Sequence, residues 1–162
     1  MKFIADGMLG KLARWLRLAG HDASYIGDAK LPPENQDGAL LEIADSEKRM
    51  LLTADLALHK RAIKAGLKSN FVKGNDIVSQ LVDISEKIGQ RIEITPENSR
   101  CTMCNGTLDL VDKIKIERLV PESVLKNNTD FWLCVKCGKA YWRGGHWKTI
   151  IEMVSKYNSM VK

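Results

Sequence analysis

Lys2-Phe3-Ile4-Ala5-Asp6-Gly7-Met8-Leu9-Gly10-Lys11-Leu12-Ala13-Arg14-Trp15-Leu16-Arg17-Leu18-Ala19-Gly20 changes its hydrophobic period within a few residues. Lys2 to Ala5 is a short apolar run of strand type. From Met8 the apolar residues recur at helical spacing: Met8, Leu9, Leu12, Trp15, Leu16 and Ala19 share one stripe, while Lys11, Arg14 and Arg17 fall opposite. Gly20 can close this helix in the left-handed conformation. The alternation continues with a strand at Ala23 to Ile26, a loop holding Pro32-Pro33, and a helix from Asp37 to Lys48. The strand Met50-Leu51-Leu52-Thr53 follows, then a helix from Leu56 to Ala65 ended by Gly66 and a strand at Asn70 to Val72. A helix capped by Asp76 runs to Ile88-Gly89, and Arg91 to Ile94 reads as one further strand. Strands alternating with helices of this length require right-handed crossovers, so the fold class is α/β, a doubly wound parallel sheet covered on both faces.

Thr95-Pro96-Glu97-Asn98 breaks the pattern, which divides the chain into units of residues 1–95 and 96–162. The second unit carries all four cysteines, as Cys101-x-x-Cys104 and Cys134-x-x-Cys137. Two such turns deliver four soft donors to one tetrahedral ion, the pattern of a structural Zn²⁺ ribbon with no open position for water or substrate. A pair of disulfides is the competing use. The first residues show no apolar stretch followed by a small-residue cleavage site, so a reducing, cytoplasmic setting is expected and favours zinc. Between the pairs, Val111, Ile114, Ile116 and Leu119 point to short antiparallel strands, and a last helix is expected from His146 to Tyr157.

The net charge is +5 over 162 residues, and it is unevenly placed. Residues 1–95 hold 14 Lys/Arg against 13 Asp/Glu; residues 96–162 hold 11 against 7. A basic module interleaved with aromatic residues fits a nucleic-acid partner. No run of about 18 apolar residues is present, so no membrane span is expected. Gly7-x-x-Gly10 is not the glycine fingerprint of a dinucleotide site, which removes a dinucleotide cofactor.

In a parallel sheet, ligands gather outside the carboxyl ends of the strands. Asp6 follows the first strand directly, Asp55 follows Thr53 by two residues, and Asp37 opens the helix leading into that strand. Three converging carboxylates repel one another, and a hard divalent cation, Mg²⁺ or Mn²⁺, is the usual relief. Each aspartate also suits a helix N-cap, and the two readings compete. Thr53 can orient a metal-bound water or serve as an ordinary strand residue. Asp76 reads as a cap.

Asp6 to Arg17, Asp37, Leu51-Leu52-Thr53-Ala54-Asp55, and the cysteines followed by Tyr141-Trp142-Arg143-Gly144-Gly145-His146-Trp147 together resemble the Mut-seven C-terminal RNase family, over nearly the whole chain. The resemblance implies a PIN-type nuclease domain with an attached zinc ribbon, and it assigns Mg²⁺ or Mn²⁺ binding and RNA hydrolysis to Asp6, Asp37 and Asp55. The further glutamate that many PIN domains carry between the first two acids has no counterpart here.

Lys11, Arg14 and Arg17 beside Asp6 are placed to meet phosphates, unless they form only a solvated helix face. Trp142, Arg143, His146 and Trp147 have a composition suited to stacking on unpaired bases, unless the tryptophans only pack the ribbon against the first unit. The expected function is a metal-dependent endoribonuclease acting on RNA. A non-catalytic RNA-binding or ribosome-associated module is the alternative. A phospho-acceptor receiver domain would explain neither the ribbon nor the basic face. Oligomeric state is not legible.

Overall fold

The computed structural model describes residues 1–161; Lys162, the last residue of the second expected unit, lies outside the described residues. Strands β1 (Lys2–Ala5), β2 (Asp22–Tyr25), β3 (Met50–Thr53) and β4 (Ser69–Phe71) form one parallel sheet in the order β2-β1-β3-β4. Because side chains alternate between faces, Phe3 and Ala5 enter one core while Ile4 enters another. The register pairs Ile4 with Leu51 and Ala5 with Leu52, so like faces stay together across the sheet.

Helices α1 (Gly10–Leu18) and α4 (Ile77–Ile88) cover the first face through Leu12, Leu16, Val78, Leu81 and Ile84. Helices α2 (Pro33–Ser46) and α3 (Leu56–Lys64) cover the other through Leu40, Ala44, Leu58 and Ala62. Each fully buried Leu, Ile or Val of this kind contributes about 1.5–3 kcal/mol. The chain leaves β1 toward β2, then returns past β1 to β3 on the opposite face. The strand order therefore reverses between β1 and β3, and the crevice outside their carboxyl ends is the switch point where open α/β sheets place ligands.

Two expectations for the first unit change. Helix α2 begins at Pro33, four residues ahead of Asp37, because proline at the first helical position presets φ and loses no needed N–H. Arg91 to Ile94 adds no strand: Ile92 is buried, and its N–H donates to the Tyr157 hydroxyl at 2.9 Å.

Beyond Thr95, β5 (Leu108–Val111), β6 (Phe131–Cys134) and β7 (Ala140–Trp142) form an antiparallel sheet. Two short helices, α5 (Lys113–Ile116) and α6 (Glu122–Asn127), stand where strands were expected between the cysteine pairs, and Ile116, Val120 and Phe131 make a small separate core. The last helix, α7 (Gly145–Met160), turns back onto α4, and Tyr157 and Val161 complete the core of the first unit. No helix among the described residues is long and apolar enough to cross a membrane.

Candidate active site and metal centre

Asp6 leaves the end of β1 and caps the single 3₁₀ turn Gly7–Leu9 that leads into α1. One carboxylate oxygen accepts from the Met8 amide at 2.9 Å; the other accepts from the Thr53 hydroxyl at 2.5 Å and the Ala54 amide at 2.9 Å. The Thr53 oxygen in turn accepts from the Asp55 amide at 2.9 Å. One hydroxyl thus ties the β1 acid to the β3 acid across the switch point. Asp6 is 5% exposed and Thr53 fully buried, whereas Asp55 stands in solvent and caps α3 through the Ala57 and Leu58 amides. Asp76 caps α4, and hydrogen bonds from Ser79 hold its carboxyl below the usual carboxylate range.

Asp37 departs from its expected place. It lies in the second turn of α2 and pairs with Arg61 of α3 at 2.9 Å, both side chains about half exposed. The three acids do not close into a ligand set: among the described residues, the four cysteines form the one His/Cys/Asp/Glu group with ligand atoms mutually within 4.8 Å. The oxygen donors are of the right chemistry for Mg²⁺ or Mn²⁺, and in this structure the Asp37 carboxylate is engaged by Arg61. Sequence reasoning missed Arg61, because nothing local links it to a partner 24 residues away. It also missed Tyr25, whose hydroxyl donates to the Gly7 carbonyl at 3.0 Å.

Of the three expected phosphate-contacting cations, Lys11 and Arg14 are exposed on α1. Arg17 is not available: it is 2% exposed and donates to the Ala23 carbonyl at 2.7 Å, the Thr102 carbonyl at 2.8 Å and the Asp28 carboxylate at 3.1 Å. The helical pattern placed Arg17 away from the first core correctly, but the first cysteine turn covers that side. Asn105 strengthens the same junction. It is held at φ 65°, accepts from the Ala23 amide at 3.1 Å and donates to Asp22 at 2.7 Å. Burial pushes the Asp22 carboxyl up, but hydrogen bonds from Arg49 and Asn105 outweigh it and hold the group below its ordinary value.

The four cysteines are unpaired as disulfides and converge, with Sγ–Sγ separations of 3.6 Å for Cys101–Cys137 and 3.4 Å for Cys104–Cys134. A tetrahedral ion with Zn–S bonds of about 2.3 Å sets its sulfurs about 3.8 Å apart, so the cluster fits zinc closely. The surroundings fit as well. The Lys136 and Cys137 amides point at the Cys134 sulfur, and the Tyr141 hydroxyl lies 3.0 Å from that of Cys101. Burial raises the Cys101 thiol, yet the Tyr141 hydroxyl and nearby amides bring it down to about 6, while burial and the neighbouring thiols push Cys104 up to about 12, so the crowded sulfurs do not all ionise on their own. Gly106 is required by space: a Cβ there would stand 2.9 Å from the Cys134 sulfur and 3.3 Å from that of Cys104.

The aromatic segment divides between packing and exposure. Trp142 packs partly on the small core of the second unit, and Arg143 pairs with Glu97 at 2.9 Å and lies 5.9 Å from the Trp132 ring. His146 is exposed and Trp147 half-buried in the first turn of α7, and both line one cleft with Trp142, which Arg143 does not line.

The family model for the Mut7-C RNAse domain matches residues 1–154. No curated protein and no solved structure gives a significant match.

Proposed function

The chain belongs to the Mut7-C RNAse domain family, and from that premise we propose that it is an endoribonuclease whose chemistry centres on Asp6 and Asp55. The observation that carries this reading is the bridge from the Asp6 carboxylate through the Thr53 hydroxyl to the Asp55 backbone amide, which ties the Asp6 carboxylate to the backbone of the second acid at the switch point between β1 and β3. In this reading residues 1–95 are a PIN-type nuclease unit, and residues 96–162 a zinc ribbon that grips the strand, with Cys101, Cys104, Cys134 and Cys137 holding Zn²⁺, followed by a C-terminal helix that packs back on α4. Free thiols accord with a cytoplasmic, reducing setting. Asp6 and Asp55, joined by Asp37 once Arg61 releases it, are the residues to hold Mg²⁺ or Mn²⁺. Such an ion, when bound, neutralises phosphate charge and acidifies water. This chain's own contribution is positional: Thr53 fixes the Asp6 carboxylate, the α3 cap fixes Asp55, and Lys11 and Arg14 meet the phosphates of the incoming RNA.

A second reading has a specific observation behind it. Every oxygen of Asp6 and one of Asp55 already accept amide or hydroxyl hydrogens, and Asp37 is ion-paired, as in a non-catalytic RNA-binding module. The separating experiment is cleavage of single-stranded and structured RNAs with no added divalent cation, with Mg²⁺ and with Mn²⁺, comparing wild type with Asp55→Asn. The nuclease reading expects ion-stimulated cleavage that Asp55→Asn abolishes while RNA affinity stays within about twofold. Tight RNA binding with no cleavage under any condition supports the binding module instead.

A further inference from the structure

The geometry points to a seat for one unpaired nucleotide of the RNA at the junction of the two units, about one α1 length from Asp6; this rests on the reading of RNA as substrate. The seat is a cleft of about 520 Å³, within the roughly 300–1,000 Å³ of small-molecule sites. Its wall draws on three separate segments: Leu18 from the end of α1, Arg100 from the approach to the first cysteine turn, and Lys139, Trp142, His146 and Trp147 from the end of the second unit.

The charge of this wall is one-sided. No aspartate or glutamate lines it, and Lys139 is not ion-paired among the described residues; Arg100 stands on the edge shared with the cleft beside β2 and donates to the Asn105 carbonyl at 2.9 Å. Helix α7 starts at the rim with no side-chain cap, adding the positive end of a sixteen-residue helix. The larger cleft beside β2, about 790 Å³, is mixed in charge: Asp22, Asp28 and Glu47 line it among its cations and pair with its Arg17 and Arg49. An electropositive, aromatic-lined cleft of this size complements a ligand that is planar and anionic, which describes a nucleotide.

The wall is also built to stay in place. Tyr141 lines the cleft with its hydroxyl committed to Cys101 and Thr102, so the cysteine cluster fixes the ring, and the Lys139 ammonium lies 5.4 Å from that ring's centre. Trp147, half-buried, belongs to none of the three hydrophobic cores and lines the cleft. Helix α1 begins one turn after Asp6 and ends at Leu18 in the cleft wall. Its nine residues span about 14 Å, on the order of four nucleotides at the 3.4 Å charge spacing of a duplex strand. Lys11 and Arg14, exposed along α1, mark the path between acids and cleft.

The test is a two-by-two comparison by fluorescence anisotropy at fixed salt, without added divalent cation. A labelled single-stranded 12-mer RNA and an abasic ribose-phosphate strand of equal length are each titrated with wild type and with Trp147→Ala. Wild type should bind the abasic strand roughly 5- to 100-fold more weakly, and Trp147→Ala should bind both strands about equally, because base and indole are lost together. Trp147→Phe, which keeps a stacking face, should retain most of the discrimination and covers the case in which the alanine variant misfolds. Lys139→Ala should weaken both strands alike and reduce the salt slope by about one. If Trp147→Ala still discriminates as wild type does, the bases sit elsewhere: the cleft proposal falls and RNA as substrate stands. If wild type binds neither strand, the RNA reading and the cleft fall together.

Discussion

Arg17→Ala distinguishes a structural junction from a phosphate-binding face, because the two roles predict different quantities. The guanidinium is nearly buried and serves four acceptors on three segments: the Ala23 carbonyl in β2, the Thr102 and Met103 carbonyls in the first cysteine turn, and Asp28. Truncation removes this donor from the two close carbonyls, Ala23 and Thr102, at about 1–3 kcal/mol each where water cannot replace it. Water can reach part of this site, since Arg17 lines the 790 Å³ cleft beside β2, so the lower half of that range applies. The Asp28 arm adds little, about 0–1 kcal/mol, because that carboxylate is half exposed. The expected loss is therefore about 2–5 kcal/mol, a large share of a stability of roughly 5–15 kcal/mol. Arg17→Lys should recover only part of it, since an ammonium cannot hold the fork of acceptors. Urea unfolding followed by circular dichroism reads this directly, and the salt dependence of RNA binding reads the rival role. An Arg17→Ala protein within about 0.5 kcal/mol of wild type whose RNA salt slope falls by about one would refute the junction and restore the surface role.

Asp6→Asn and Asp55→Asn should part company in thermal melts. The Asp6 carboxylate accepts three hydrogens, so a carboxamide turns an N–H₂ toward donors and should cost about 1–3 kcal/mol, while asparagine caps α3 nearly as well as Asp55 and should leave the melting temperature almost unchanged. His21 is buried beside the Met1 amino group, and burial first, then that charge, lower its pKa from 6.5 to about 4. The unfolded chain thus takes up a proton that the folded one refuses, so stability should fall as the pH drops from about 6.5 toward 4, and His21→Gln should flatten that part of a urea-midpoint profile. Gly106→Ala should speed loss of metal to a chromogenic chelator, because its methyl group crowds the sulfurs of Cys134 and Cys104; an unchanged release rate would show that the loop yields without disturbing the cluster.

What was legible in the sequence is what local rules govern. The strands at Lys2 and Met50 are apolar runs, the paired cysteines sit on two-residue turns, and Gly20 adopts φ 80° at the helix end where its Cβ would also strike the Asn98 carbonyl at 2.6 Å. Asp55 and Asp76 could be seen as caps because the cap bond closes within three residues. The start of α2 is legible too, since Pro33 suits a first helical residue as well as a loop. Arg17, Asn105 and Arg61 were not: each has a partner 24 or more residues away, and no period or spacing encodes such a contact.

The same contacts fix where the first cysteine turn sits relative to Asp6. Parallel register pairs Lys2 with Asp22 and Ala5 with Tyr25, so Asp22 marks the amino end of the sheet and Asp6 the carboxyl end. Arg17 and Asn105 attach the first cysteine turn near Asp22 and Ala23, at the end away from the acids. The cysteine turn therefore cannot supply a ligand or a proton to Asp6 directly, since α1 lies between them. Its influence on the acids must run through a substrate long enough to touch both ends of α1, or through α1 itself. An RNA of one or two nucleotides, reaching only one end, should then lose the benefit of the second unit, while Lys11 and Arg14 matter most for strands that bridge both.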